Sequence, residues 1–253
     1  MQRRSLALAL TLTALALAPA VHAQAGFPDK PVRLVVSYPP GGTVDATARI
    51  LGTKLSQLWG QPVVVDNRAG GGGIIGAQAV LAAPADGYTL LVDASNHAQN
   101  PALKKHMPFD TLKAFAPVSL MVKVPNVLVV SPGFPAQSAR DLIAYVKAHP
   151  GKVDYASSGN GSAQHLAGEL FALKTGAKMT HVAYRGGGPA MVDVMAGTVP
   201  VFFASLASSL SYIQGGKLRP VAVAGQRRSP VLPNVPTFTE AGVPGVDVYE
   251  WNG

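Results

Sequence analysis

Apolar positions along this chain fall into short continuous runs separated by helical stripes. Arg33-Leu34-Val35-Val36-Ser37 predicts a strand. Val44, Ala48, Leu51, Leu55 and Leu58 then recur at spacings of four, three, four and three, which places one apolar stripe on a helix. Gly60 ends that helix, and Pro62-Val63-Val64-Val65-Asp66 predicts the next strand. Gly70 to Gly73 lead into a small helix around Ile75, Ala79 and Val80, and the Asp86-Gly87 turn opens a third strand, Tyr88 to Val92. Such alternation argues for parallel βα units.

The pattern changes in the middle of the chain. Asn100 to Pro117 is polar and irregular, and Val118 to Val130 is a long β-prone stretch broken at Pro125. This is the expected crossing into a second α/β set. There Ser138-Ala139-Arg140-Asp141 resembles a capping box ahead of Leu142, Ile143, Tyr145 and Val146. Further helices are predicted from Ser162 to Gly176, from Pro189 to Gly197, and through Leu206, Leu210 and Ile213. Arg219 to Ala224 predicts a strand leading back to the first domain, and Thr237 to Glu240 caps a short final helix ending at Gly242. The expected division is 1–23 as a signal peptide, 24–120 with 226–253 as domain 1 (incomplete), and 121–225 as domain 2.

Composition bounds the function. The 253 residues are 48% apolar and 13% charged, ample for a large α/β protein with its own core. A basic start, an apolar run from Leu6 to Ala18 and Val21-His22-Ala23 read as a secretory signal peptide cleaved after Ala23. Removing Arg3 and Arg4 takes the formal charge from +8 to +6. The cations are scattered, with no basic stripe interleaved with aromatics, so nucleic acid is not an expected partner. With no second long apolar stretch, no direct membrane insertion is expected after cleavage. Cys is absent, which excludes disulfides and thiolate chemistry. The His residues show no H-x-x-x-H or H-E-x-x-H spacing, so neither metal nor other cofactor is expected.

One local design occurs in three places: a strand running into a Gly-rich turn that opens a helix. These are Tyr38-Pro39-Pro40-Gly41-Gly42-Thr43, Ser157-Ser158-Gly159-Asn160-Gly161-Ser162 and Arg185-Gly186-Gly187-Gly188-Pro189. A helix N-terminus carries unpaired N–H groups and a partial positive charge, and glycine lets an anion approach the backbone closely. Three such mouths suit the grip of a small anion. Tyr38, Tyr184 and Arg185 are placed to hydrogen-bond a carboxylate or to pack under their loops. Asp45, in the first helical turn, caps or accepts from a ligand donor. Two enzyme readings compete. Gly71-Gly72-Gly73-Ile74-Ile75-Gly76 satisfies G-x-G-x-x-G with Asp93 downstream, although Asn67 to Gly70 separate it from its strand. Ser158 or Ser162 with His165 is the other, a Ser hydrolase lacking an evident orienting acid.

Together these segments resemble the Bug/TctC substrate-binding receptors of tripartite tricarboxylate transporters. The resemblance rests on Tyr38 to Gly42 with Asp45 and Ala48-Arg49, Gly60 to Arg68, Asp86 to Leu91, and Ala156 to Gly161 with His165. It continues with Tyr184 to Gly186, Pro189-Ala190 and Leu232 to Thr237, nearly the whole chain in order. It implies an α/β, two-domain periplasmic binding protein of flytrap architecture, expected to be C-terminally truncated because the family runs longer. It implies no catalysis, a small carboxylate or amino acid as ligand, a membrane permease as partner, and a monomer. The ligand-binding set it points to is Tyr38, Gly41, Gly42, Thr43, Asp45, Ser95, Ser158, Gly159, Asn160, Gly161, Ser162, His165 and Tyr184. The alternative is an exported enzyme, Ser hydrolase or NAD-binding oxidoreductase. One departure bears on the ligand: Ala204 stands where the family often has Asp, which disfavours a ligand with an ammonium or hydroxyl donor at that spot.

Overall fold

The structure, a computed structural model, describes residues 26–253; the expected signal peptide and its cleavage after Ala23 lie outside the described residues. Strand β1 (Val32–Val36) is buried except for Arg33 and sits at the centre of a parallel three-stranded sheet ordered β2-β1-β3. Its neighbours are β2 (Val63–Asn67) and β3 (Thr89–Val92). Helix α1 (Thr43–Trp59) packs Val44 and Ala48 against this sheet, and ends at Gly60, whose φ of 66° is the left-handed cap glycine accepts freely. The predicted stripe holds only through its first half, and Leu58 is exposed. A 17-residue helix is about 25 Å long, whereas a five-residue strand spans about 17 Å, so the helix outruns its sheet. Helix α2 (Ile74–Leu81) follows β2, and α3 (Asn96–Leu103) follows β3 inside a segment read as irregular from Asn100 onward.

The larger sheet has the order β6-β5-β7-β4-β8. Its strands are β4 (Val122–Val130), β5 (Asp154–Ser157), β6 (Thr180–Ala183), β7 (Val201–Ser205) and β8 (Arg219–Val223). Side chains alternate between two cores. Leu128, Val130, Val201 and Phe203 face one, with Phe171 and Phe238; Val127, Val129, Phe202 and Ala204 face the other, with Met191 and Val194. Burial on both faces explains why these strands read as continuous apolar runs. The covering helices are α4 (Ala139–Ala148), α5 (Ala163–Thr175), α6 (Gly187–Met195) and α7 (Leu206–Gln214). Ser138 caps α4 by accepting from the Asp141 N–H at 3.2 Å.

Two predicted details change. Strand β4 runs straight through Pro125, because residues 122–125 pair with β9 (Tyr249–Asn252) while 126–130 pair with β7 and β8. With ladder demands on one side at that point, the missing N–H is tolerated. Thr237 and Glu240 do exchange capping bonds, Thr237 N–H to Glu240 Oε2 at 2.8 Å and Glu240 N–H to Thr237 Oγ1 at 3.1 Å, but they close a turn with no helix behind it. Gly242 arrives too soon for a helix to propagate. Phe238, Val243 and Val246 pack into a core of the larger sheet. Strand β9 reaches across to the smaller sheet, where Asn252 bridges Ala94 and the Asp93 N–H donates to Gly253 O at 2.9 Å.

Candidate functional site

A narrow cleft lies where the two sheets face each other. Its walls are the strand-to-helix turns at the C-terminal ends of β1, β3, β5 and β7, with Gly187 from α6 and Glu250 from β9. This is where ligands bind in α/β folds, because helix N-termini converge there. The smaller sheet contributes Tyr38, Gly42, Thr43 and Val44, then Ala94, Ser95 and Asn96. The larger contributes Ser158, Ala163 and Gln164, then Phe202, Ser205 and Ser208.

Most of the helix ends at the cleft lack side-chain caps. No side chain caps the N-termini of α1, α3, α6 or α7. Helices α4 and α5 do have caps, from Ser138 and Ser162. Thr43 Oγ1, at the first position of α1, is buried with no partner. Among the described residues, no Lys, Arg or His lines the cleft. The partial positive charge the cleft can offer an anion is that of its helix N-termini.

Of the residues expected from sequence, Tyr38, Gly42, Thr43, Ser95 and Ser158 line the cleft. The Tyr38 hydroxyl donates to Asn96 Oδ1 at 3.0 Å, and burial, with Asp93 and Glu250 nearby, pushes its pKa up. Ser95 Oγ accepts from the Trp251 N–H at 3.2 Å. The others stand behind the walls. Asp45 accepts from the Gly41 N–H at 3.1 Å, from Asn67 Nδ2 at 2.9 Å and from Arg49 Nε at 3.0 Å. Burial opposes its ionisation, yet these donors together hold the carboxyl below its ordinary range. Asp45 thus braces the 38–42 turn.

Three N–H groups of the 157–162 turn are spent within it and on His165. Gly159 N–H donates to Ser157 Oγ at 3.1 Å, Gly161 N–H to His165 Nδ1 at 3.1 Å and Ser162 N–H to Gly159 O at 3.1 Å. Ser162 Oγ caps α5 by accepting from the His165 N–H at 3.2 Å, and the Asn160 carbonyl accepts from Asn96 Nδ2 across the cleft at 3.3 Å. The His165 ring stacks on His181 with centroids 4.1 Å apart. Tyr184 donates to Asp193 Oδ2 at 2.7 Å, and burial with that partner pushes its pKa up to about 12.

The structure adds lining residues that no motif signalled: Asn96, Gln164, Ser205, Ser208 and Glu250. Gly187 belongs to the third Gly-rich turn and was legible as such. Asn96 and Asn100, four apart, were the available signal for the polar helix α3.

Neither enzyme reading finds a site. The 70–76 glycine run is filled by the protein itself: a Cβ on Gly76 would lie 2.9 Å from Ser37 Cα, and one on Gly73 2.8 Å from an Asp93 oxygen. Asn100 Nδ2 donates to Gly72 O at 2.9 Å. These are packing glycines, with no room for a pyrophosphate. Ser158 Oγ donates to Gln164 Oε1 at 2.6 Å and has no His beside it. Ser157 does meet His181 at 2.6 Å, but it is fully buried away from the cleft. No group of His, Cys, Asp and Glu suited to a metal occurs among the described residues.

Residues 47–253 match the model of the tripartite tricarboxylate transporter family receptor. The chain belongs to this receptor family. Protein BugT of Bordetella pertussis is 41% identical over 227 residues, 89% of this chain and 70% of that protein. Among solved structures, R. palustris Rpa4515 with adipate is 39% identical with a TM-score of 0.87, covering 89% of this chain and 76% of that one. MatC (Rpa3494) from Rhodopseudomonas palustris with bound malate is 31% identical with a TM-score of 0.84, covering 90% and 78%. The periplasmic binding protein BugD is 33% identical with a TM-score of 0.85, covering 90% of this chain and 76% of that one. The fold expectation of a flytrap-type α/β binding protein holds, and the enzyme alternative does not.

Proposed function

We propose that this receptor captures a small carboxylate in the cleft between its two sheets and hands it to the membrane permease of a tripartite transporter. The observation that carries this reading is the convergence of four helix N-termini without side-chain caps on a cleft with no cationic side chain. Oriented N–H groups suit a carboxylate, and dipoles already fixed in place need no reorganisation when it binds. The adipate and malate held by the two structural relatives are of this class.

The two sheets are then the centres of two lobes that close on the ligand, with 226–248 moving with the larger and β9 crossing between them. The chain acts in the periplasm after cleavage behind Ala23, as a monomer, with no nucleic-acid partner. Of the candidate ligand contacts, Gly42, Thr43, Ser95 and Ser158 touch the ligand directly, while Asp45, Ser162, His165 and Tyr184 hold the turns.

Ligand-induced thermal stabilisation tests this. A carboxylate at a hundredfold over its Kd adds about 2.7 kcal/mol, readily seen as a raised melting midpoint. A panel of mono-, di- and tricarboxylates and amino acids should contain at least one such ligand, and NAD should shift nothing. A shift with NAD alone would sink the proposal.

A further inference from the structure

Among the described residues, Glu250 is the one carboxyl lining the cleft, and no Lys, Arg or His lines it. It is 7% exposed and sits on β9, its backbone fixed by pairing with Val124. Both neighbours present donors to it. Gln164 Nε2 donates to Oε2 at 2.7 Å, and Asn252 Nδ2 donates to Oε1 at 3.3 Å. Each amide is held at its other end, Gln164 Oε1 by the Ser158 hydroxyl at 2.6 Å and Asn252 Oδ1 by the Thr47 hydroxyl at 3.4 Å. The network therefore runs donor to acceptor from both directions and terminates on Glu250. The Ser205 hydroxyl is a third donor beside it. An ionised carboxylate has about four lone-pair sites, so these partners still leave room for a ligand donor.

Such a group is costly in a carboxylate cleft. Burial pushes the Glu250 carboxyl above its ordinary range, against the Asn252, Gln164 and Ser205 donors. A bound plain carboxylate adds a like charge to a cleft with no cation to offset either. A hydroxyl or ammonium on the ligand reverses the sign of that interaction. Ala204, where the sequence placed doubt on such ligands, is fully buried and does not line the cleft, so Glu250 is the acid available to them.

We propose, resting on the carboxylate-receptor reading, that Glu250 is a specificity-determining residue. It accepts a hydrogen bond from a hydroxyl or ammonium on the ligand skeleton and so selects hydroxy- or amino-carboxylates over plain ones.

The test is titration calorimetry with matched skeletons: succinate, malate and aspartate, then glutarate, 2-hydroxyglutarate and glutamate. Wild type and Glu250→Gln are compared, with Glu250→Thr as a second neutral variant should the first not melt cooperatively. In wild type, a donor-bearing member should bind at least tenfold tighter than the plain acid of equal length. The neutral variant should cut that preference below about threefold while keeping or tightening plain-acid binding. Equal wild-type affinities, or a preference that survives the substitution, would overturn the proposal while leaving the receptor reading intact. Plain-acid binding that tightens as pH falls in wild type alone would make Glu250 a proton carrier and also overturn it. Binding of none of the six acids by a folded wild type would overturn both the proposal and, for short diacids, the reading beneath it.

Discussion

At the scale of single residues, the Gly-rich turns owe their shape to side chains outside them. Under the 157–162 turn, His181 is pushed down to about 4 by burial and by the neighbouring His165, and His165 is itself lowered by burial. A lowered imidazole pKa means that the unfolded chain binds protons the folded chain refuses. Stability is then lost as pH falls from the ordinary value of 6.5 toward 4. His97 works in the opposite sense, raised by its hydrogen bond to Asp93 at 3.2 Å, so its contribution is present in acid and lost as pH rises. The difference between two proteins isolates the stacked pair. Urea midpoints at roughly pH 7 and pH 4.5 should fall less for His181→Gln than for wild type. An equal fall in both would remove this pair from the acid sensitivity of the fold. None of this was legible in the sequence, because His165 and His181 are 16 positions apart and meet only when β5 and β6 pair.

At the scale of elements, two glycines inside helices separate propensity from packing. Gly52 in α1 faces the smaller sheet, and a Cβ there would meet Val63 Cγ1 at 3.4 Å and Leu34 Cδ1 at 3.6 Å, ordinary contact distances. Gly168 in α5 lies on the Tyr155 ring, and a Cβ there would overlap it. Gly52→Ala should therefore stabilise the chain by about 0.5–1 kcal/mol through helix propensity. Gly168→Ala should destabilise it by about 1–3 kcal/mol, because overpacking in a dense core exceeds the propensity gain. Chemical denaturation of both variants checks the sign, and a stabilised Gly168→Ala would mean the ring can move aside. Element identity was readable wherever apolar periodicity was strong, as in β1, α1 and α4. It failed for α3, whose polar sequence Asn96-His97-Ala98-Gln99-Asn100 carries no stripe. It also failed at Pro125, where tolerance depends on which strands lie alongside.

At the scale of the whole molecule, closure is made by backbone meeting backbone. A Cβ on Gly188 would lie 2.8 Å from Pro40 O and 3.4 Å from Gly41 C, and one on Gly186 would lie 2.8 Å from Pro39 Cδ. The first and third Gly-rich turns thus pack directly on one another across the cleft. Gly188 has no positive φ and stands in the first turn of α6, so Gly188→Ala leaves its own lobe unstrained. That variant should keep the ligand-free unfolding midpoint and bind ligand about tenfold more weakly, the result of a tenfold smaller closed population. Scattering measurements with saturating ligand should show it more open than wild type. Unchanged affinity would mean that these turns do not govern closure.

The sequence by itself determined the alternation of strands and helices, the Gly-rich turns that open helices, and through them the receptor family. These are local matters: a side-chain period of two or 3.6, and the backbone conformations only glycine adopts freely. The tertiary structure decided which helix mouths stay uncapped at the cleft and which turns spend their N–H groups internally. It also decided that Glu250, in a segment with no motif, faces Gln164 from the larger sheet and shares Asn252 with Thr47 from α1. Those are pairings between residues 86 and 205 positions apart. No periodicity encodes them, because they exist only once both sheets have formed and β9 has crossed between them.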